Sequence, residues 1–498
     1  MFKHENKLFI NGEWIDSTND ETIDVINPAT EEVIGTVSAS TKEDLDKAVQ
    51  AARDALPAFS KSIKKERIDL LNRIADEYEK RKDEFIDVMT MELGAPKTIS
   101  ENVHYEMGLA HFRTVAKALE DFSFEEERGD HTIVKESVGV SGLITPWNFP
   151  TNQTSTKIAG AFAAGSPVVL KPSEETPYAA IMLAEIIDRA GAPKGAFNLV
   201  NGTGATIGDA ISSHPDIDFV SFTGSGPVGT RVMQNASETI KNVALELGGK
   251  SPLLVLKDAD VQKAAQSAAE HMMLNSGQVC SAATRVLVPK EMKADFEREL
   301  VTSLEGFPMG DPQNTSNFTG PLISKKQYDT VQSYIKKGQE EGARIVQGGE
   351  GKPDGLETGY FVKPTIFSDV TNDMVVAREE IFGPVTTIIT YDGIEEGLQI
   401  ANDTPYGLAG YVAGEDEKSL KYAASHIRAG QITVNDAKTD HLAPFGGFKQ
   451  SGIGREWGDF GIEEYLEEKA IMGVKTPEVN PSAFLNTEGR GMDIYHVY

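Results

Sequence analysis

From about residue 40 onward, short apolar stretches alternate with stretches whose apolar residues recur every three to four positions. This alternation is typical of an α/β protein with mostly parallel sheets. Residues 166–171 form an apolar strand pattern that is followed by a helical pattern ending at Gly191. The same order returns at 219–223, where a helix is predicted from about Pro227. The chain is therefore predicted to fold as a series of strand–helix units.

Several helix ends can be predicted from single residues. Thr41 is a good N-cap for a helix with apolar residues at three-four spacing, namely Leu45, Ala48, Val49, Ala52 and Leu56. Two further amphipathic helices are expected at 65–92 and 103–119. Thr176 and Pro177 are expected to supply the N-cap and first-turn proline of the helix that ends at Gly191.

Length and charge limit the kind of protein. The chain has 498 residues, 40% of them hydrophobic, which indicates two or three domains. We find no internal repeat and no long linker. The formal net charge is −28, and a field of that sign repels a phosphate polymer. Nucleic acid is therefore not expected as a partner.

The sequence predicts a cytoplasmic protein without a membrane segment. The N-terminal residues lack the apolar core of a signal peptide. The longest apolar stretch, 158–170, is interrupted by two glycines and a proline, so no window reaches the length of a membrane helix. The single cysteine cannot form an internal disulfide, which agrees with a reducing compartment. It also excludes a site with several cysteine ligands, and no metal site is predicted.

That cysteine, Cys280, follows a predicted helix at 260–274 and stands in a loop with Gly277 and Gln278. A lone cysteine is most often a buried, inert thiol. The polar, glycine-containing setting favours a reactive thiol instead, because such thiols lie in accessible polar loops. Both interpretations remain open on this segment alone.

Two other segments offer groups that could act with a thiol. Glu246 lies in an apolar strand pattern directly before two glycines. Burial there would raise its pKa toward the range of a general base, although a strand-end glutamate can also simply face water. Asn148 lies between two prolines after a strand, and its amide could stabilise an oxyanion or belong to an ordinary turn.

Together these segments resemble the aldehyde dehydrogenase superfamily, because they match its motifs in the family's order. The resemblance runs from Asn27 to Glu456, nearly the whole chain. Further matching segments lie at 171–177, 222–225, 379–384 and 444–452. The fold implied is a Rossmann-like cofactor domain, an α/β catalytic domain and a small oligomerisation element. The reaction implied is NAD(P)-dependent oxidation of an aldehyde to a carboxylic acid.

The resemblance also implies roles for the three residues. Cys280 is the expected nucleophile, and Asn148 with the backbone N–H of Cys280 forms the expected oxyanion hole. Glu246 is expected to activate the water that hydrolyses the thioester. A thiolate suits this chemistry because it forms a thiohemiacetal that can release hydride and then a thioester that water can cleave.

Cofactor residues carry over in the same way. The expected set lies after the strands of the first half and in the 379–384 segment, and comprises Ile144, Thr145, Pro146, Trp147, Lys171, Ser173, Glu174, Gly204, Gly224, Ser225, Gly229, Leu247, Glu380 and Phe382. Lys171 and Glu174 are expected at the adenosine ribose, and Glu380 at the nicotinamide ribose. Glu174 favours NAD over NADP, because a carboxylate accepts ribose hydroxyls and repels a 2′-phosphate. Lys171 offsets part of that repulsion, so NADP use stays open.

The expected NAD(P)-binding domain comprises 1–118 and 138–248, and the catalytic domain 249–448. A hairpin at 119–137 and the tail at 449–498 are expected to form the oligomerisation element of a homodimer or homotetramer. The end of the tail, from about Pro477, is expected to be frayed or to form an arm on a partner subunit.

Three alternatives and one substrate hypothesis accompany this interpretation. The first alternative is a CoA-acylating relative, which would typically lack Glu246. The second is a cysteine hydrolase, which would need a histidine motif. The third is an inactive relative, which would have no reason to keep Cys280, Glu246 and Asn148.

The substrate hypothesis concerns residues 151–156, which are polar where well-known aliphatic members carry bulky apolar side chains. Within this segment Thr156 replaces a tryptophan. We therefore expect a polar substrate wall, to which Lys438, Asp440 and His441 of the loop after Asn435 contribute. Lys438 either receives a distal carboxylate of the substrate or, like most lysines on loops, points to solvent.

Overall fold

A computed structural model describes residues 3–473. Its strands are, in chain order, β1 (Leu8–Ile10), β2 (Glu13–Ile15), β3 (Thr22–Asn27), β4 (Glu32–Ser38), β5 (Glu125–Arg128), β6 (His131–Ser137), β7 (Ser141–Ile144), β8 (Val168–Lys171), β9 (Phe197–Leu199), β10 (Phe219–Thr223), β11 (Asn242–Glu246), β12 (Pro252–Val255), β13 (Arg285–Pro289), β14 (Arg344–Gln347), β15 (Thr365–Ser368), β16 (Val385–Tyr391), β17 (Ala409–Ala413), β18 (Gln431–Val434), β19 (Gly452–Ile453) and β20 (Leu466–Met472).

The α-helices are α1 (Lys42–Phe59), α2 (Lys64–Glu79), α3 (Lys82–Val88), α4 (Lys97–Ile99), α5 (Glu106–Asp121), α6 (Pro150–Ala164), α7 (Tyr178–Arg189), α8 (Asp209–Ser213), α9 (Gly226–Ala236), α10 (Val261–Met273), α11 (Lys293–Ser303), α12 (Lys325–Glu340), α13 (Val375–Arg378), α14 (Ile394–Asn402), α15 (Glu417–His426) and α16 (Gly458–Glu463). Wider π-helical turns occur at Met89–Leu93, Ser100–Tyr105 and Gly204–Gly208.

Two large sheets carry the fold. The first has eight strands in the order β19-β11-β10-β7-β8-β9-β1-β2, and its five central strands are parallel. The second has seven strands in the order β14-β15-β16-β13-β12-β17-β18, all parallel except β14. The central strands of both sheets are buried and mostly apolar because helices cover parallel sheets on both faces. The predicted α/β class is confirmed.

Two smaller sheets complete the structure. Strands β3 and β4 form a hairpin, and β5, β6 and β20 form a three-stranded antiparallel sheet. The segment 449–473 divides between two places, because β19 pairs with β11 at the edge of the first sheet while β20 pairs with β6. Between them, α16 packs on α5 and α6. The chain from Pro477, expected to be frayed or an arm, lies outside the described residues.

The predicted N-cap at Thr41 is confirmed, since its side chain accepts a hydrogen bond from the backbone of Asp44 in a capping box. The predicted single helix at 65–92 is wrong. Its pattern divides into α2, α3 and a π-helical turn, because Arg81 leaves the helical conformation and its guanidinium bonds to Glu84 and Glu185. The helix expected from Val103 begins as a π-helical turn and continues as α5.

The predicted cap of α7 is also wrong. Thr176 makes no hydrogen bond through its side chain within residues 3–473. The carboxylate of Glu92 lies at this helix start instead, and it accepts hydrogen bonds from the backbone N–H groups of Tyr178 (2.8 Å) and Ala179 (3.0 Å). A carboxylate at a helix N-terminus satisfies free donors and faces the positive end of the helix dipole. The cap therefore comes from a distant residue.

Candidate active site

Cys280 lies in a tight loop after α10. Asn275 and Ser276 adopt left-handed backbone angles (φ 49° and 58°), and Gly277 follows with φ 74°. A Cβ atom at Gly277 would lie 2.2 Å from the carbonyl oxygen of Gly383, so only glycine fits this position. Within the part of the chain described, the half-buried thiol is the only cysteine and contacts a cluster of Leu408, Phe445 and Trp457.

Burial raises the pKa of the Cys280 thiol to about 12, and the charges of Glu380 and Glu246 contribute to the shift. Both carboxylates therefore lie close enough to act on the sulfur electrostatically. A thiol with this pKa is protonated at neutral pH. Formation of the thiolate requires a base or a compensating positive charge beside the sulfur.

A network of side-chain amides fixes Asn148 beside this loop. The side chain of Asn275 donates to the carbonyl of Asn148 (2.8 Å), and the side chain of Asn148 donates to the carbonyl of Gln278 (3.0 Å). The Gln278 side chain donates to the Asn275 carbonyl (3.0 Å) and accepts from the N–H of Ile323 (2.9 Å). One amide hydrogen of the Asn148 side chain thus bonds to the carbonyl of Gln278, two residues before Cys280. The second amide hydrogen remains available. Sequence reasoning missed Asn275, whose only signal was its position in the cysteine loop.

Glu246 ends β11, where it is paired with Thr223 of β10 and Gly452 of β19. It is only 3% exposed, and neither carboxylate oxygen has a hydrogen-bond partner within residues 3–473. Burial raises its pKa well above the ordinary value, the charge of Glu456 raises it further, and Lys157 opposes the shift. The alternative that Glu246 faces water at the end of its strand is wrong, because its side chain is buried. A buried carboxyl without partners is suited to accept a proton.

Lys157 and Glu456 form a buried ion pair behind Glu246, which sequence reasoning missed. The ammonium of Lys157 lies 2.5 Å from Oε1 of Glu456 and 2.7 Å from the hydroxyl of Ser221. Lys157 belongs to α6, all of whose residues are buried. The position of this lysine directly before the apolar stretch 158–170 was the available signal, because buried lysines are nearly always paired.

The expected adenosine-side residues lie at the carboxyl ends of β7 and β8, where parallel sheets bind ligands. Ile144 is paired with Lys171, and the N–H of Thr145 donates to the Lys171 carbonyl (3.1 Å). The Lys171 ammonium lies 3.1 Å from Glu174, which also accepts from the N–H of Gly204 (3.4 Å). Although burial opposes it, the Lys171 charge lowers the pKa of Glu174. Ser173 lies in the same loop, and its hydroxyl accepts a hydrogen bond from the N–H of Glu175 (3.2 Å).

The glycine turn after β10 faces Glu246. The N–H of Gly224 donates to the Glu246 carbonyl (3.0 Å), and Ser225 occupies the N-cap position of α9. A Cβ atom at Gly229 would lie 2.6 Å from the Leu247 side chain. The close approach of helix and strand at this point explains the third glycine of the pattern.

The residues expected at the nicotinamide, Glu380 and Phe382, lie in the C-terminal half of the chain, which forms the seven-stranded sheet. The rings of Phe382 and Trp147, the latter beside Pro146, meet edge to face at 5.3 Å. Glu380 accepts a hydrogen bond from the N–H of Gly249 (3.3 Å), and burial raises its pKa to about 7. A Cβ atom at Gly248 would collide with the same carboxylate. The structure therefore brings the expected residues of both halves to one place.

The structure brings together only some residues of the predicted substrate wall. Lys438 and Asp440 are exposed on the loop after β18. His441 is half-buried and lies against Trp457, and Thr156 is buried in α6. Within the described residues no group of three or more His, Cys, Asp and Glu is placed to hold a metal ion. No helix in the range 3–473 is both long and apolar enough to cross a membrane.

Residues 14–471 match the family model described as "Aldehyde dehydrogenase family". The chain belongs to the aldehyde dehydrogenase family, and the predicted family is confirmed. It is 58% identical over 471 residues to a "Putative aldehyde dehydrogenase" of Staphylococcus haemolyticus (strain JCSC1435), covering 95% of this chain and 99% of the relative. A relative of the same name in Staphylococcus aureus (strain USA300) is 57% identical, covering 94% and 98%.

Solved structures give the same result for the fold. Aldehyde dehydrogenase C of Pseudomonas syringae, in complex with NAD⁺ and octanal, superposes with a TM-score of 0.94 at 42% identity, covering 96% of this chain and 98% of that one. A betaine aldehyde dehydrogenase of Staphylococcus aureus, in complex with NAD⁺ and carrying a BME-modified cysteine, gives a TM-score of 0.91 at 38% identity, covering 96% and 97%.

Proposed function

We propose that the protein oxidises an aldehyde to a carboxylic acid with NAD⁺, through a thioester on Cys280. The observation that carries the proposal is the placement of three groups around one loop. These are a thiol, an amide with a spare hydrogen at Asn148, and a buried carboxyl without partners at Glu246. Nucleophile, oxyanion donor and base are the parts that acyl chemistry requires.

The residues around this loop fit a nicotinamide dinucleotide. The carboxylates of Glu174 and Glu380 are acceptors for ribose hydroxyls, and the paired rings of Trp147 and Phe382 offer an aromatic surface. Glu174 disfavours a 2′-phosphate, so we propose NAD⁺ as the main cofactor, while the buried ammonium of Lys171 keeps NADP⁺ use open. The two related structures described above carry NAD⁺. When bound, NAD⁺ supplies the hydride acceptor and a positive charge.

In the first half of the reaction the Cys280 sulfur attacks the aldehyde carbon after its proton is removed. That proton is released to solvent, so Glu246 enters the second half of the reaction unprotonated. The developing oxyanion is held by the spare amide hydrogen of Asn148 and the N–H of Cys280. Loss of hydride then leaves a thioester on Cys280.

In the second half, Glu246 removes a proton from a water molecule that attacks the thioester carbon. The carbon–sulfur bond breaks, the carboxylic acid leaves, and Cys280 returns as a thiol or thiolate. A carboxyl with a raised pKa is a stronger base than an exposed glutamate, so its burial serves this step.

The test separates the two halves. Cys280→Ala should form no NADH, whereas Glu246→Gln should accumulate the thioester. Its expected pre-steady-state trace is a burst of about one NADH per active site followed by slow turnover. Glu270→Gln, which changes an exposed glutamate of α10, is the matched control and should turn over normally. Wild-type turnover in Glu246→Gln would contradict the role proposed for Glu246.

We also propose the division of the chain into an NAD(P)-binding domain (residues 1–118 and 138–248), a catalytic domain (249–448) and an oligomerisation element. The eight-stranded and seven-stranded sheets support the first two. We further propose a homodimer or homotetramer, because β18 and the three-stranded sheet present unpaired strand edges within the described chain. We also propose a cytoplasmic location, which the single cysteine of the sequence supports. Light scattering measures the particle mass, and a monomeric mass would contradict the assembly.

A further inference from the structure

Two histidines from distant parts of the chain meet on one side of the thiol. His111 belongs to α5 and is 1% exposed, and His441 belongs to the loop after β18. Their rings stand perpendicular, with centroids 5.1 Å apart. The Trp457 ring lies 5.7 Å from His111 and 5.0 Å from His441. We call these three residues the imidazole cluster.

The imidazole cluster is connected to Cys280 through a single aromatic layer. Trp457 stacks on Phe445 with centroids 4.7 Å apart and ring planes inclined by 21°. Phe445 and Trp457 form, with Leu408, the apolar cluster against which Cys280 packs. The thiol and the two imidazoles therefore pack against the same pair of aromatic residues.

Each imidazole presents a buried polar atom without a protein partner. Nε2 of His111 lies 2.5 Å from Oδ1 of Asn152, and because an amide oxygen only accepts, this nitrogen carries the proton. Nδ1 of His111 is then an acceptor. Neither that atom nor Nε2 of His441 has a hydrogen-bond partner within residues 3–473. Buried polar atoms are normally satisfied, so the pair calls for a ligand with matching groups.

The chemistry of the cluster selects a neutral group. Burial lowers the pKa of His111 to about 3, with His441 adding to the shift, and burial also lowers the pKa of His441. Both rings are therefore uncharged near neutral pH and provide no positive charge for a carboxylate. Lys438, the cation expected to receive a carboxylate, is exposed on the loop.

We propose that His111 and His441 form a specificity subsite for aldehydes whose far end carries a hydroxyl group. The hydroxyl donates to Nδ1 of His111 and accepts from the N–H at Nε2 of His441, so one group satisfies both atoms. An alkyl chain of equal length leaves both unsatisfied and should bind more weakly. This inference rests on the proposed aldehyde oxidation and names its substrate class.

The test compares kcat/KM, measured as NADH formation, for three aldehydes of equal chain length. One ends in a methyl group, one in a hydroxyl and one in a carboxylate, with chains too long to close into cyclic hemiacetals. Wild type should prefer the hydroxyl compound over the alkyl one by about tenfold, the value of one well-placed neutral hydrogen bond. The difference should lie mainly in KM, because a contact far from the reacting carbon acts alike on bound substrate and transition state.

Variants assign the preference to the cluster. His111→Leu and His441→Leu should each bring the ratio of kcat/KM for the hydroxyl compound over the alkyl compound close to one. His111→Asn should restore part of the preference, because the asparagine oxygen lies near the position of Nδ1. His214→Gln is the control. His214 lies in the loop after α8, where its ring contacts Asp46, and this variant should leave the hydroxyl preference unchanged. His441 stands on a half-buried loop, so its variant remains informative if His111→Leu does not fold.

The outcomes separate this inference from the proposed function. Absence of NADH from every aldehyde would refute the proposed function itself. NADH formation with equal values for hydroxyl and alkyl compounds would overturn the inference alone. A preference for the carboxylate compound, or a hydroxyl preference that survives in both leucine variants, would overturn it as well.

Discussion

The buried pair of Lys157 and Glu456 allows a quantitative prediction about Glu246. Lys157→Met removes an ammonium that lies 2.5 Å from Glu456 and 2.7 Å from the hydroxyl of Ser221. The side chains of Lys157 and Glu456 are 0% and 8% exposed, so little water can replace the lost contacts. The variant therefore keeps a carboxylate in the protein interior without its cation.

Removing one partner of a buried ion pair costs about 3–5 kcal/mol. Loss of the hydrogen bond from the ammonium to the Ser221 hydroxyl adds about 1.5–3 kcal/mol. The double variant Lys157→Met/Glu456→Gln removes both charges and should be far closer to wild type than the sum of its single variants. We expect a coupling free energy of about 3 kcal/mol in the double-mutant cycle, measured by urea unfolding of all four proteins.

The same variants should move the pH dependence of thioester hydrolysis in opposite directions. Glu456 raises the pKa of Glu246 and Lys157 lowers it. Glu456→Gln should therefore shift the acid limb of the rate profile to lower pH, and Lys157→Met should shift it to higher pH. Additive free energies together with unmoved acid limbs would refute both the buried pair and its action on Glu246.

Three further predictions concern other parts of the site and the fold. Asn148→Ala should reduce hydride transfer by about 10²–10³-fold through loss of an oxyanion donor, with substrate binding little changed, as single-turnover kinetics can measure. Glu174→Gln should raise kcat/KM with NADP⁺ relative to NAD⁺, and an unchanged ratio would exclude Glu174 from cofactor selection. Glu92→Ala should destabilise the protein by about 1–3 kcal/mol in denaturant unfolding, because the N–H groups of Tyr178 and Ala179 lose their acceptor; Glu92→Gln should recover part of that loss.

Local chemistry made some parts of the fold predictable. Thr41 caps a helix with a residue three positions away, so the whole signal lies within one turn of chain. The start of α7 was not predictable, because Glu92 reaches it from another part of the sequence. A cap of this kind depends on how helices pack, and no local pattern encodes it. The interruption at Arg81 has the same origin, since its partner Glu185 is a tertiary contact.

The residues of the candidate site also fall into two groups, those that local sequence predicts and those that depend on tertiary contacts. Cys280, Glu246 and Asn148 stand in short motifs, so the sequence alone predicts them as a set. Their environment was not identified, because Lys157 and Trp457 acquire their importance only when α6, β19 and the following turn meet. The substitution at Thr156 was visible in the sequence. The contact between the rings of Trp457 and His111 was not.

The pairing of β19 with β11 has a consequence for biosynthesis. The ribosome completes the loop of Cys280 long before it adds Gly452, which pairs with Glu246, and Glu456, which binds Lys157. A nascent chain therefore holds its nucleophile while the pocket of its base still lacks one wall. Chains that terminate before Gly452 also lose β19 and β20, so a premature stop shortly before the codon of Gly452 leaves a cysteine loop without a working base.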